Sequence, residues 1–200
     1  MRFRTLSYFR DYEDDDVRAD EYEGTLAHRP VGGLRIRKVD TGEEIQTNYQ
    51  FESSAKEEEI FIYCFSTEFS KELAAEFEAE ACVEIDNVAK LLGRLRAALV
   101  RRPKIRDKTI KHGAVHYYLP EEPPIADWAL PERIALRKPV RLSRQKEYRI
   151  AFAVNGAFAV ENVNVRLANL DNRRKPKGLS HPEMNMKLGN LSKFCVIRGL

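Results

Sequence analysis

A carboxylate that opens an otherwise apolar run has its ionisation set by burial and by neighbouring charge, which is how general acids, bases and transition-state stabilisers are tuned. Glu147, in Gln145-Lys146-Glu147-Tyr148-Arg149-Ile150-Ala151-Phe152, is such a residue. The two-residue spacing of a strand sets Gln145 and Glu147 on one face, so an amide and a carboxylate can address one ligand. Arg149 shares that face, and a structural ion pair between Glu147 and Arg149 is the competing reading.

Two further places carry groups that bind or react. Ser66 and Thr67 close the apolar run Ile60-Phe61-Ile62-Tyr63-Cys64-Phe65, where their hydroxyls can hold a ligand or cap the turn towards Ser70. Arg4, between Phe3 and Thr5, is a cation able to grip a phosphate or carboxylate in bidentate fashion. The four histidines, His28, His112, His116 and His181, lack ligand spacing, and no Gly-x-Ser-x-Gly, His-Glu-x-x-His, P-loop or dinucleotide glycine pattern occurs. Glu13 to Asp16 with Asp20 can bind a divalent cation in nuclease fashion, but an acidic solvated loop is the simpler account, and no metal is expected.

These groups need elements to hold them. Residues 2–9 read as an aromatic-rich strand leading into an acidic connection, and 34–39 with 44–47 read as a hairpin about Asp40-Thr41-Gly42. Residues 59–66 form the expected central strand, followed by a short helix capped by Ser70. Residues 81–85 form a strand, and Val88, Leu91, Leu92, Leu95 and Leu99 mark one face of a helix that ends before Pro103. Residues 114–119 and 148–154 are strands, and Asn155-Gly156 predicts a hairpin into 157–163. Together they predict an α+β domain with a mixed, mainly antiparallel sheet and two or three flanking helices. The absence of an internal repeat or linker makes 1–200 a single domain. Residues 169–187 are a loosely packed basic extension, after which 188–197 return to the sheet.

The order of the motifs resembles the Arg-Ser-Glu class of ADP-ribosyltransferases: an aromatic-Arg-Thr strand, a Phe-Ser-Thr strand end, then Gln-x-Glu leading a strand. That resemblance implies an ADP-ribosyltransferase-like fold, with NAD as the substrate to be split and no metal. It implies Glu147 as the catalytic carboxylate with Gln145 near the acceptor, Ser66 and Thr67 at the nicotinamide ribose, and Arg4 on the phosphates, with Arg10 the alternative arginine. A second resemblance covers more of the chain. Asp20-Glu21-Tyr22-Glu23-Gly24, Cys64-Phe65-Ser66, Leu136-Arg137-Lys138-Pro139 and Gln145-Lys146-Glu147-Tyr148-Arg149 are similar to an uncharacterised bacterial family with Cys-Phe-Ser and Glu-Lys-Glu-Trp-Arg strands, common in phage-defence or mobile-element neighbourhoods. It implies that Asp20 and Glu23 join the site, and a toxin or phage-defence role.

Composition sets the limits of these readings. At 200 residues with 43% hydrophobic and 32% charged residues the chain is an ordinary globular one, able to bury roughly 70% of its unfolded surface. No run of about 18 apolar residues occurs and the first residues lack a signal-peptide core, so a cytoplasmic protein is expected, with no membrane partner. The odd cysteines, Cys64, Cys82 and Cys195, read as reduced core residues. Net charge is only +3, but basic residues gather from Arg94 to Lys111 and at Arg173-Arg174-Lys175, which suits a nucleic-acid or protein acceptor. Three readings follow: an NAD-dependent transferase, a non-enzymatic module binding nucleic acid or a partner protein through those basic surfaces, or a metal-dependent nuclease through Asp20 and Glu23.

Overall fold

The computed structural model describes residues 1–11, 20–103, 105, 107–169 and 181–199. In chain order the elements are β1 (Arg2–Thr5), α1 (Leu6–Arg10), β2 (Thr25–His28), β3 (Leu34–Arg37), β4 (Glu44–Thr47), β5 (Tyr49–Ser54), β6 (Ile60–Ser66), α2 (Lys71–Glu76) and β7 (Ala81–Ile85). There follow α3 (Val88–Val100), β8 (Lys111–Ala114), β9 (His116–Tyr118), α4 (Pro131–Ile134), β10 (Arg137–Pro139), β11 (Glu147–Ala153), β12 (Asn164–Asn169), β13 (Glu183–Asn185) and β14 (Cys195–Gly199). The protein is mixed α+β, and among the described strands every pairing is antiparallel except that of β9 with β10.

The central sheet has the order β13-β1-β6-β11-β8. β6 stands in its middle because the sequence Ile60–Phe65 offers apolar side chains to both faces. On one face Phe3, Phe61, Ile150 and Phe152 pack against Leu91, Leu92, Leu95 and Leu99 of α3. Those four leucines recur at helical spacing, and Asn87 caps the helix by accepting a bond from the backbone N–H of Lys90. On the other face Ile60, Ile62, Ala151 and Ala153 meet Leu6, Leu26, Ile134 and Trp128. The three-stranded sheet β12-β5-β2 completes this half.

Several expectations from sequence are corrected. Residues 6–10 are helix rather than strand, and the turn of the helix buries Leu6, Ser7 and Arg10. Asn155-Gly156 does turn the chain, with φ of 53° and 73°, but 157–163 do not return as a strand. β6 occupies one edge of β11 throughout and β8 the other from Tyr148 to Ala151, which leaves only Phe152 and Ala153 open to a hairpin partner. Residues 195–199 pair with β7 in a separate two-stranded sheet rather than with the central one. In the stretch expected to be loosely packed, 183–185 form a strand on β1 and Met186 is buried, while the basic residues Arg173 to Lys177 lie outside the described residues.

Candidate functional site

The β6–β11 ladder brings the key residues together. Glu147 lies directly opposite Ser66 and Arg149 opposite Cys64, so alternation of side chains puts all four on the same face of the sheet. β11 begins sharply: residues 140–145 form a 3-10 helix, Lys146 takes a left-handed conformation (φ 46°, ψ 49°), and Glu147 starts the strand with its backbone N–H bound to the Tyr117 hydroxyl at 2.9 Å. Gln145 is therefore not a strand residue two steps before Glu147. It reaches the same place from the 3-10 turn, its carbonyl accepting a 2.8 Å bond from Lys138 Nζ.

Beneath Ser66 is a buried network of charge. The fully buried Arg149 guanidinium binds Glu23 with two parallel bonds of 2.6 and 2.7 Å, donates from Nε to Glu147 at 2.8 Å, and gives a further bond to the Ala135 carbonyl at 2.7 Å. Lys138 Nζ lies 2.8 Å from Glu147 Oε2 and 3.8 Å from Glu23 Oε2. Glu23 is delivered by a tight turn in which Gly24 has φ +74° and the Glu23 N–H binds the Asp20 carbonyl. Asp20 itself is buried, with Oδ1 accepting from the Tyr22 N–H at 3.1 Å and meeting Arg141 at 3.3 Å, and with Oδ2 lacking a partner among the described residues.

The network sets distinct ionisation states. Burial alone would raise the Glu147 pKa, but the adjacent Arg149 and Lys138 outweigh it and hold the carboxyl at about 2. Burial, together with the nearby Glu23 carboxylate, raises Asp20 to about 6 against the pull of Lys138 and Arg141. Lys138 stays cationic because Glu147 and Glu23 offset its burial and the repulsion of Arg149. The Cys64 thiol, desolvated and beside the Glu147 carboxylate, is pushed well above its usual value, which makes it a poor nucleophile.

Glu147, Gln145, Lys138, Cys64, Ser66 and Thr67 form the polar end of a cleft of about 1280 Å³. Its other walls are apolar and aromatic, with Phe65 and Tyr148 from the opposite face of the sheet to Glu147 and Ser66, Phe69, Leu73 and Phe77 from the α2 region, and Val83 and Ile85 from β7. α2 keeps its place through Ser70, whose hydroxyl accepts from the Leu73 N–H at 3.1 Å. Flat apolar groups with one polar end suit such a cleft.

The sequence-predicted residues divide. Glu147, Gln145, Ser66 and Thr67 line the cleft, Arg149 lies beneath it, and Asp20 and Glu23 buttress it without lining it. The competing reading, a Glu147–Arg149 ion pair, is realised. The local roles of the hydroxyls are realised too: Ser66 Oγ accepts from the Glu68 N–H and Thr67 Oγ1 donates to the Lys146 carbonyl. Arg4 is not brought to the cleft. It pairs with Ile62 on β6, about 13 Å along the strand from Ser66, and is held by Glu183 at 3.0 Å and by the Tyr8 ring. Arg10 is buried away from the cleft with Asp11 and Glu57. Lys138 and Tyr117 were not anticipated as site residues, and the only signal for Lys138 was its place in the Leu136-Arg137-Lys138-Pro139 motif. Among the described residues no group of His, Cys, Asp and Glu is placed to hold a metal ion, and no helix is long and apolar enough to cross a membrane.

Comparison of the chain with protein-family models, with curated proteins and with solved structures finds no match.

Proposed function

We propose that the cleft is the active site of an enzyme that splits NAD and transfers its ADP-ribose, in the manner of the ADP-ribosyltransferases, with Glu147 as the carboxylate facing the nicotinamide ribose. The observation that carries this reading is the direct cross-strand opposition of Ser66 and Glu147 at the polar end of an aromatic-walled cleft. A carboxyl held near pKa 2 is ionised throughout the physiological range, so it does not shuttle protons. It suits a different task, stabilising positive charge on the sugar ring as the glycosidic bond breaks.

A carboxylate has about four acceptor directions, of which Arg149 and Lys138 take up to three. A ribose hydroxyl would take the direction that remains. Gln145 would face the acceptor, which is protein or nucleic acid. The phosphate role that the resemblance gave to Arg4 is not carried over; the cations bordering the cleft are Lys138 and Arg198.

The test is calorimetric titration of NAD into the wild type, Ser66→Ala and Glu147→Gln, followed by nicotinamide release, with thermal melts to confirm that the variants fold. Saturable binding with turnover lost in Glu147→Gln supports the reading, and no binding at millimolar NAD ends it. One observation favours a second reading, a non-enzymatic binding module with a toxin or defence role open to it: the Glu147 oxygens are already engaged by Arg149 and Lys138. In that case the network is scaffold, and binding of partners survives Glu147→Gln.

A further inference from the structure

On the outer side of α3, away from its leucine face, Lys90 and Arg94 stand one turn apart and frame a second concavity of about 340 Å³, closed by Gly93, Asn190, Lys193 and Phe194. Lys90, Arg94 and Lys193 are exposed, and among the described residues none of the three makes an ion pair with a carboxylate. Other exposed cations, Arg35 and Arg37 among them, also lack a carboxylate partner; these three differ in bordering one hollow. Three cations converging on one hollow without a counter-charge repel one another unless an anion joins them. Gly93 also lines the hollow, and a Cβ there would meet nothing within 4 Å.

We propose that this hollow binds the phosphodiester backbone of a single-stranded nucleic acid. The length of the charged row favours a polymer over a lone anion. Arg101 continues the Lys90–Arg94 stripe on the same side of the helix, and from Lys90 to Arg101 the row runs about 16 Å at 1.5 Å per residue. A strand carrying a phosphate roughly every 3.4 Å of its length presents several charges to that row. The same segment that supplies Asn190 and Lys193 supplies Leu191 to the cleft, and Leu91 and Val88 of α3 also line it. A strand bound in the hollow therefore lies just across the 190–194 segment from the cleft.

The experiment is fluorescence anisotropy with a labelled 20-nucleotide single strand at salt from 50 to 200 mM, on the full chain. The wild type should bind with a salt slope that the triple variant Lys90→Ala, Arg94→Ala, Lys193→Ala lowers by about two, at about 0.7 per lost phosphate contact. Affinity at 50 mM should fall at least tenfold. The pair Arg35→Ala, Arg37→Ala, two exposed cations on the β3–β4 hairpin, should leave both unchanged. Equal losses in the two sets, or unaltered binding by the triple variant, overturns the proposal. Binding of inorganic phosphate without binding of the strand also overturns it, and marks a small-anion site. NAD turnover does not enter these measurements, so this proposal and the one for the cleft fail separately.

Discussion

Arg149 and Glu23, 126 residues apart in the chain, are joined by two parallel bonds of 2.6 and 2.7 Å in a place where neither side chain is exposed to solvent. Two buried charges in this geometry fix the Asp20–Gly24 turn against the central sheet. The same guanidinium holds Glu147 from the other side, so one cation sets both the loop and the cleft carboxylate.

Removing the cation strands two carboxylates. Arg149→Met leaves Glu23 and Glu147 with Lys138 alone, and loss of one partner of a buried ion pair costs about 3–5 kcal/mol. Glu147→Gln is milder, because Arg149 keeps both bonds to Glu23. Urea unfolding followed by the fluorescence of Trp128, the single tryptophan and a buried one, measures both. An Arg149→Met protein within about 1 kcal/mol of the wild type would mean that the network does not hold the fold together.

Gly24 is the hinge of the loop side. At φ +74° a side chain is strained, and a Cβ would come within 2.7 Å of Glu57 Cγ. Gly24→Ala should cost about 1–3 kcal/mol and move Glu23 off Arg149, read as a lower melting temperature. An unchanged melting temperature would refute the claim that this turn places Glu23.

Much of this architecture was legible where the signal is local. The buried-strand run 60–66, the leucine spacing of α3 with its Asn87 cap and the hairpin over 34–47 all follow from composition and period. Glu147, Gln145 and Ser66 were found because polar residues at the ends of apolar strands are conspicuous. Lys138 was not: its chain neighbours give no hint that it is buried, and its three partners, Gln145, Glu147 and Glu23, are assembled only by the tertiary fold. The strand expected after Asn155-Gly156 failed for the same reason, since whether a turn becomes a hairpin depends on whether the preceding strand has a free edge. Arg4 was assigned by order in the sequence, and order says nothing of the register that sets it opposite Ile62 rather than near Ser66.

The cysteines should separate by reactivity. Cys64 and Cys82 are both half-buried and line the cleft, but Cys64 stands beside the ionised Glu147 and is held as a thiol. Brief alkylation with iodoacetamide at pH 8, read by peptide mass spectrometry, should label Cys82 well ahead of Cys64. Faster labelling of Cys64 would mean that its contact with Glu147 does not persist in solution.

Asp20 gives stability a pH dependence of definite sign. With its pKa raised from 3.8 to about 6 by burial and Glu23, against Lys138 and Arg141, it binds a proton more tightly folded than unfolded. Its contribution is therefore full below about pH 4 and is lost as the pH rises through 6. Asp20→Asn keeps an oxygen for the Tyr22 N–H and removes the titration. The variant should exceed the wild type at pH 8 by up to about 3 kcal/mol, at 1.36 kcal/mol per pH unit, with the gap closing towards pH 4. Glu147, with its lowered pKa, acts in the opposite sense and only as the pH falls from 4.5 towards 2, so the two effects occupy separate windows. Urea unfolding of both proteins at pH 4, 6 and 8 measures the gap, and a variant less stable than the wild type at pH 8 would show that Arg141 and Lys138 prevail over burial at Asp20.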